Sequence, residues 1–401
     1  AAAFRTPENR HNYALCNGET AECKVGTQKI YRIRSGMILN WGELITLEYG
    51  KPVKDKESTD GKVPVYGTNG QIGTSHLPAQ CKHPSFILGR KGAYRGVHYS
   101  DCPFSVIDTA FYAEPLTDRI DLKWAYYKFL TYDINGMDSG SAIPSTDRYQ
   151  IYSIEVEVPP LEKQRKIVAV LDCIDRKINI NQKVNDNLLE QMQALYKSWF
   201  VDYHPFGGVM PTSWTQTGIY SLANIIYGAP FASKQFNTEG NGKPIIRIRD
   251  LKDQQFATYT TEVHPKGYLL HPGDIVVGMD GEFRPYIWGN DEAWLNQRVC
   301  VFENKRPNGK AFLYFTIKPL LFAIEQTQVA TTVIHIGKKD FDTFEIMLPD
   351  TELLDAFDAI TTPMVEQIVS NSIENKRLAI MRDALLPKLM SGEIDVSDIQ
   401  L

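Results

Sequence analysis

From Leu161 to Tyr203 the chain reads LEKQRKIVAVLDCIDRKINI and then NQKVNDNLLEQMQALYKSWFVDY, a stretch whose periodicity predicts one long helix. Leu171, Ile174, Ile178, Asn181, Asn185, Leu188, Met192, Leu195 and Trp199 follow one another by alternating steps of three and four, the seam of a left-handed coiled coil. Only the two asparagines interrupt its apolar character. A buried asparagine in such a seam costs stability but holds register, because a slipped partner leaves its amide unpaired. This helix therefore needs a specific partner.

The chain itself supplies one. Met364, Ile368, Asn371, Asn375, Leu378, Leu385 and Leu389 fall on the same seam 190 residues further on, as Ile368 does from Ile178, with both asparagines in step. Thr361 and Arg382 stand where the first copy has Leu171 and Met192, and they weaken the second seam. Upstream, Glu155-Val156-Glu157-Val158-Pro159 matches Glu345-Ile346-Met347-Leu348-Pro349 at the same shift, so strand, proline and helix recur as a unit. The chain reads as a tandem duplication of head and helix. Two unrelated amphipathic helices in one core would not share an ungapped offset.

At 401 residues the chain exceeds one ordinary core. The expected fold class is α+β: two α/β heads separated by two long antiparallel coiled-coil helices in a pseudo-twofold internal repeat. The expected boundaries are 37–158 for the first head, 159–203 for its helix, 204–348 for the second head, and 349–401 for the second helix and C-terminal tail. Residues 1–36 form a leader with no assigned structure, either a vector-derived or upstream-read extension or an extra arm on the first head. Inside the heads, VPVYGTNGQIG, FILGRKGAYRGVHY and FSVIDTAFYAEP read as short strands and hairpins, and DLKWAYYKFLTY as a helix. In the second head GKPIIRIRDL and DIVVGMDGEFRPYIW stand where GKVPVYGTNG and FILGRKGAYRGVHY stood.

Composition is globular, with 43% hydrophobic and 23% charged residues, and no apolar run is long enough for a membrane span. Cys16, Cys23, Cys81, Cys102, Cys173 and Cys300 show no CxxC pair and no metal-finger spacing, so free thiols in a cytoplasmic setting and no metal site are expected. His204, His264, His271 and His335 are likewise isolated.

A helix from Ile167 to Trp199 spans about 50 Å at roughly 1.5 Å per residue, the scale of neighbouring grooves in duplex DNA. The net charge of −5 does not announce a nucleic-acid binder, yet basic residues cluster on glycine-flanked loops. In the first head these are Arg90, Lys91, Tyr94 and Arg95, with Tyr66, Asn69 and Arg148 as further candidates. The second head offers Arg284, then Arg247 and Arg249 on one face of an expected strand, then Lys338 and Lys339. Arginine pairs with guanine edges or phosphates, and glycine lets backbone approach closely.

VPPLEKQRKIVAVLDCIDRKININ, the ending ALLPKLMSGEIDV, and the head segments YGTNGQIG, LGRKGAYRG, the AIP of SGSAIPSTDR and IIRIRDL resemble the specificity subunit of type I restriction-modification systems over residues 37–401. Gln164 keeps that family's glutamine, while the second copy has Leu354. The resemblance implies a non-catalytic subunit whose two target-recognition domains each read half of a bipartite, asymmetric site on double-stranded DNA. It implies that the helices set the spacer and dock two modification subunits, which methylate adenine from S-adenosylmethionine. It further implies restriction subunits that use ATP and Mg, so this subunit itself would hold no cofactor. Lys163, Arg165, Lys166, Arg176 and Lys177, on the outer helix face, are available for such an interface.

Two other readings compete. A scaffold with two unequal heads would bind proteins instead of DNA. A nuclease would need Pro349-Asp350 and Glu374-Asn375-Lys376 to converge on Mg, but Asn375 lies in the apolar seam and its neighbours flank it on a helix. There is no GxxxxGK[ST] loop and no Asn-Pro-Pro-aromatic string, so catalysis is expected of partners.

Overall fold

The long helices run over Leu161–Phe200 and Thr351–Ser391 in the computed structural model of the chain, which describes residues 21–25, 28–33, 36–58, 60–137, 144–327 and 335–400. Ala142 and Ile143 of the AIP string lie outside those residues. Mixed helix and sheet form two compact units, Ala1–Cys173 with Arg382–Leu401, and Ile174–Met381. Each unit takes in part of both helices, because the helix ends are themselves core material.

In the first unit, Gly36–Asn40 pairs antiparallel with Glu155–Val158, so the strand that opens the head lies beside the one that feeds the long helix. Ala21–Val25 and Gln28–Ile33 extend this sheet, so part of the N-terminal stretch, whose sequence shows no periodicity, is strand. A second, antiparallel sheet runs in the order Ile45–Tyr49, Ala110–Pro115, Ser85–Gly89 and Val97–Ser100. Helix Leu122–Phe129 packs on it, started by the Asp121 carboxylate, which accepts from the Lys123 and Trp124 amides at 2.9 and 3.0 Å. Ile167 and Leu171 of the long helix join this core with Leu386, Leu389, Met390 and Val396.

Gln164 is fully buried in the first unit. Its amide donates to the Arg119 and Pro159 carbonyls and accepts from the Asp121 amide, each at 2.8 Å, which ties the helix start to the head. Leu354, at the same place in the repeat, is also buried, in the apolar core of the second unit.

That second unit repeats the frame. Thr215–Gly218 pairs antiparallel with Glu345–Leu348, and an antiparallel sheet runs Ala223–Tyr227, Val299–Asn304, Ile275–Gly278, Pro285–Ile287. In both heads a further strand pairs in parallel: Val63–Gly67 with Ser105–Val106, and Lys243–Ile246 with Ala293–Leu295. Lys243–Ile246 ends before Arg247, so the expected strand through Arg247 and Arg249 is corrected: residues 248–250 form a short 3-10 turn closed by Asp250 on the Arg247 amide.

Within the second unit the two helices meet antiparallel at the asparagines. Asn181 donates to Glu374 at 2.7 Å and to Asn375 at 2.9 Å, and Asn375 donates to the Ile178 carbonyl at 3.3 Å. Asn371 donates to Asn185 at 2.8 Å, and Asn185 donates to Ser372 and the Ile368 carbonyl. The sequence repeat relates Asn181 to Asn371 and Asn185 to Asn375, so the repeat exchanges the two cross-helix pairs. Ile174, Asn181, Asn185, Ile368 and Asn371 are buried, while Ile178, Leu188, Met364, Asn375 and Leu378 are partly so. On the outer face, Lys166 donates to the Ser397 carbonyl at 2.7 Å, Lys163 stands 3.9 Å from Asp395 and Lys177 3.1 Å from Glu374, so these charges are largely engaged within the chain.

Asn185→Leu and Asn371→Leu should each cost about 1–3 kcal/mol by stranding the partner amide, and the double variant less than their sum; additive losses in denaturant unfolding would show that the amides do not pair. Gln164→Leu, copying the second head, should cost a similar ~1–3 kcal/mol because two carbonyls and one amide lose their partner, and an unchanged melting midpoint would contradict that anchoring role.

Candidate nucleic-acid interface

The first head gathers its basic residues around one tyrosine. Tyr49, at the end of Ile45–Tyr49 and 41% exposed, has the Arg90 guanidinium 4.7 Å from its ring centre and that of Arg148 at 4.8 Å. Arg148 also lies 5.2 Å from the ring of exposed Tyr149. Both guanidiniums are held by ring faces and backbone carbonyls: Arg90 donates to Asp108 O at 3.1 Å and Arg148 to Leu47 O at 3.3 Å. A cation held this way keeps its charge for an incoming anion.

Backbone hydrogen bonds lock the two segments that carry these arginines. The Thr146 amide donates to the Arg90 carbonyl at 2.8 Å, and the Gly92 amide to the Pro144 carbonyl at 3.0 Å. Gly92 has φ +121, which a side chain tolerates poorly, and a Cβ on Gly89 would stand 2.8 Å from the Arg95 Cα. The loop is rigid by construction.

Other candidates fare differently. Arg95 is 2% exposed, its guanidinium donating to the Asn135 carbonyl at 2.7 Å and the Ile134 carbonyl at 3.4 Å, so its placement as a DNA contact is corrected: it braces the loop from inside. Tyr66 is half-buried, edge-on to Phe104 at 5.6 Å, and burial pushes its hydroxyl pKa up. Asn69 and Tyr94 are exposed neighbours, the Asn69 amide oriented to donate to the Tyr94 carbonyl at 2.7 Å. Lys91 sits 3.8 Å from Asp108.

In the second head Arg284 makes a two-pronged pair with Glu325 and lies 5.7 Å from the Phe322 ring. That hydrogen-bonded arginine holds the Glu325 carboxyl below its ordinary range, and the pair cancels the charge expected to face DNA. Arg247 is half-buried, bonded to the Thr258 hydroxyl and 3.7 Å from Asp250. Arg249 is exposed beside Asp250 at 3.5 Å, Lys338 bonds Asp342 at 2.8 Å, and Lys339 is exposed.

Tyr49, Tyr149 and Arg298 join this surface without standing out in the sequence. Arg298 is half-exposed, with Nη1 3.2 Å from His335 Nδ1, and His335 bonds Asp280 at 2.6 Å. An exposed tyrosine following an arginine at 148–149 was the available signal. Tyr49 had none, because its partners lie 41 and 99 residues away.

The loops of the two heads share a skeleton but not a chemistry. Arg90-Lys91-Gly92 corresponds to Met279-Asp280-Gly281 at a shift of 189, both glycines have positive φ, and the Ile336 amide donates to Met279 as Thr146 does to Arg90. Where the first head carries two cations, the second carries a buried methionine and a carboxylate.

Known proteins share this build. The family description "Type I restriction modification DNA specificity domain" matches residues 40–190 and 211–374. The specificity subunit of the type I restriction enzyme EcoBI from Escherichia coli is 38% identical over 138 residues, 34% of this chain and 29% of that protein. The MjaIX specificity subunit of Methanocaldococcus jannaschii is 24% identical over 313 residues, 70% of this chain and 71% of its own length. In fold, the S subunit of a type I restriction-modification system from M. genitalium aligns over 88% of this chain and 95% of its own, with a TM-score of 0.57 at 17% identity. A family match over both heads and most of both helices covers well over half the sequence, and the chain therefore belongs to the family of type I restriction-modification specificity subunits, the DNA sequence-recognition components of such systems.

Proposed function

We propose that each head reads one half of a bipartite, asymmetric site on double-stranded DNA, and that the antiparallel helix pair sets the spacer between the halves. The observation that carries this reading is the pair of corresponding loops: one backbone, held by the same hydrogen bonds, presents Arg90 and Lys91 in the first head, while in the second it buries Met279 and presents Asp280. Duplicated frames with different side chains are what two different half-sites require. Tyr49, Arg90, Arg148 and Tyr149 form the contact surface of the first head; Arg249, Arg298, Lys338 and Lys339 supply the second. Continuous helices of 40 and 41 residues with a register fixed by asparagines suit a spacer of constant length.

The chain then acts without chemistry of its own. Two modification subunits dock on the helices and transfer methyl groups from S-adenosylmethionine to adenine, and restriction subunits contribute the ATP- and Mg-dependent steps. No helix among the described residues is long and apolar enough to cross a membrane, as suits work on DNA.

Purified chain with its modification subunits should bind one bipartite sequence far more tightly than scrambled DNA, with affinity falling steeply as salt rises. Arg90→Ala and Arg148→Ala should each weaken binding by about 1–3 kcal/mol if they read bases, or lower the salt slope by about one if they meet phosphate. Arg95→Ala should instead lower the melting midpoint. Full affinity in both surface variants would remove the first-head surface, and sequence-blind, salt-insensitive binding would favour the protein scaffold. Inserting one heptad into both helices should lengthen the tolerated spacer and leave both half-sites unchanged; altered half-sites would break the division of labour.

A further inference from the structure

Away from the basic face, the first head brings together Cys81, His83 and Glu114, whose donor atoms all lie within 4.8 Å of one another. Cys81 is clamped by a two-bond bridge to Phe104, its amide donating at 3.0 Å and its carbonyl accepting at 3.1 Å. Its side chain lies in a small core of Ile87, Phe104, Val106 and Ala110. His83 follows two residues later. Glu114 arrives on strand Ala110–Pro115, which pairs with Ser85–Gly89 immediately after the histidine.

The histidine is oriented as metal-bound histidines are. Its Nδ1 stands 3.0 Å from the Pro84 carbonyl, which can only accept, so Nδ1 carries a proton and Nε2 is the nitrogen turned to the cluster. Nε2 is 2.7 Å from Glu114 Oε2 and 3.9 Å from Cys81 Sγ. A ring nitrogen that close to a carboxylate oxygen holds a cation between them: a proton in the metal-free chain, for which a metal ion can exchange. The Cys81 thiol beside them, which donates to the His83 carbonyl at 3.3 Å, completes a sulfur, nitrogen and oxygen donor set of the kind zinc accepts once the thiol gives up its proton.

We propose that Cys81, His83 and Glu114 bind one zinc ion, with a fourth position left to water, and that the ion pins the Cys81–His83 turn to the central sheet. Cys81 closes the inner side, while His83 and Glu114, 37% and 34% exposed, leave an entry path from solvent. Zinc bonds of about 2.0–2.3 Å require Nε2 and Oε2 to part by roughly half an ångström, within reach of a glutamate side chain. Binding must release protons, because zinc takes cysteine as the thiolate and histidine as the neutral imidazole.

The full chain, stripped with chelator and returned to zinc, should retain one zinc per molecule with proton release and an affinity that rises with pH. Cadmium in place of zinc should give a thiolate charge-transfer absorption. Cys81→Ser and His83→Gln should each weaken zinc binding at least about tenfold, while Cys102→Ser and Cys173→Ser, at exposed thiols, should leave it unchanged. Should the Cys81 or His83 variants fail to fold, the cadmium absorption of a variant lacking Cys16, Cys23, Cys102 and Cys173 still decides. Failure of the wild-type chain to hold zinc at micromolar free metal, equal retention by Cys81→Ser, or binding without a thiolate signal would each overturn the site and leave a plain His83–Glu114 ion pair.

Discussion

Four asparagine amides between the long helices hold the register on which the second unit depends. Asn181 with Asn375, and Asn185 with Asn371, meet where a coiled coil ordinarily buries leucine, and their donors are taken up by each other, by Glu374 and Ser372, and by the Ile178 and Ile368 carbonyls. A shift of one helix by a turn would strand these groups in an apolar seam at about 1–3 kcal/mol apiece. Leucine alone would pack as well in several registers; amides penalise every register but one.

Around that seam the duplication works by keeping backbone and changing side chains. Each head closes by pairing its first strand with the strand before a long helix, and each carries a four-stranded antiparallel sheet in the same spatial order. Hydrogen bonds of the main chain do not depend on side-chain identity, so the loops after Gly89 and Gly278 keep their shape while their chemistry diverges. In one head two guanidiniums rest on tyrosine and keep their charge available; in the other, Arg284 is cancelled by Glu325. A net charge of −5 is compatible with DNA recognition because the usable positive charge is local.

The helix ends show how firmly the heads are built into the helices. Gln164 anchors its helix through hydrogen bonds to the head, whereas Leu354, its counterpart, anchors by apolar burial. Both satisfy one demand, that a helix start facing a core leave no buried polar group unpaired, by opposite means.

What the chain's residues determined alone was whatever depends on spacing along the chain: the two long helices, the asparagines in their seam, the repeat at 190 residues and the Asn-Gly hairpin before Gly70. Periodicity is a local property and survives without knowledge of neighbours. The tertiary structure decided which amide meets which, because antiparallel pairing joins Asn181 to Asn375 and not to its repeat mate Asn371. It also decided that Arg95 points inward, that Tyr49 lies between Arg90 and Arg148, and that Glu114 reaches His83 across 31 residues. These contacts follow from strand register and from the face on which each side chain emerges, which only the folded backbone sets.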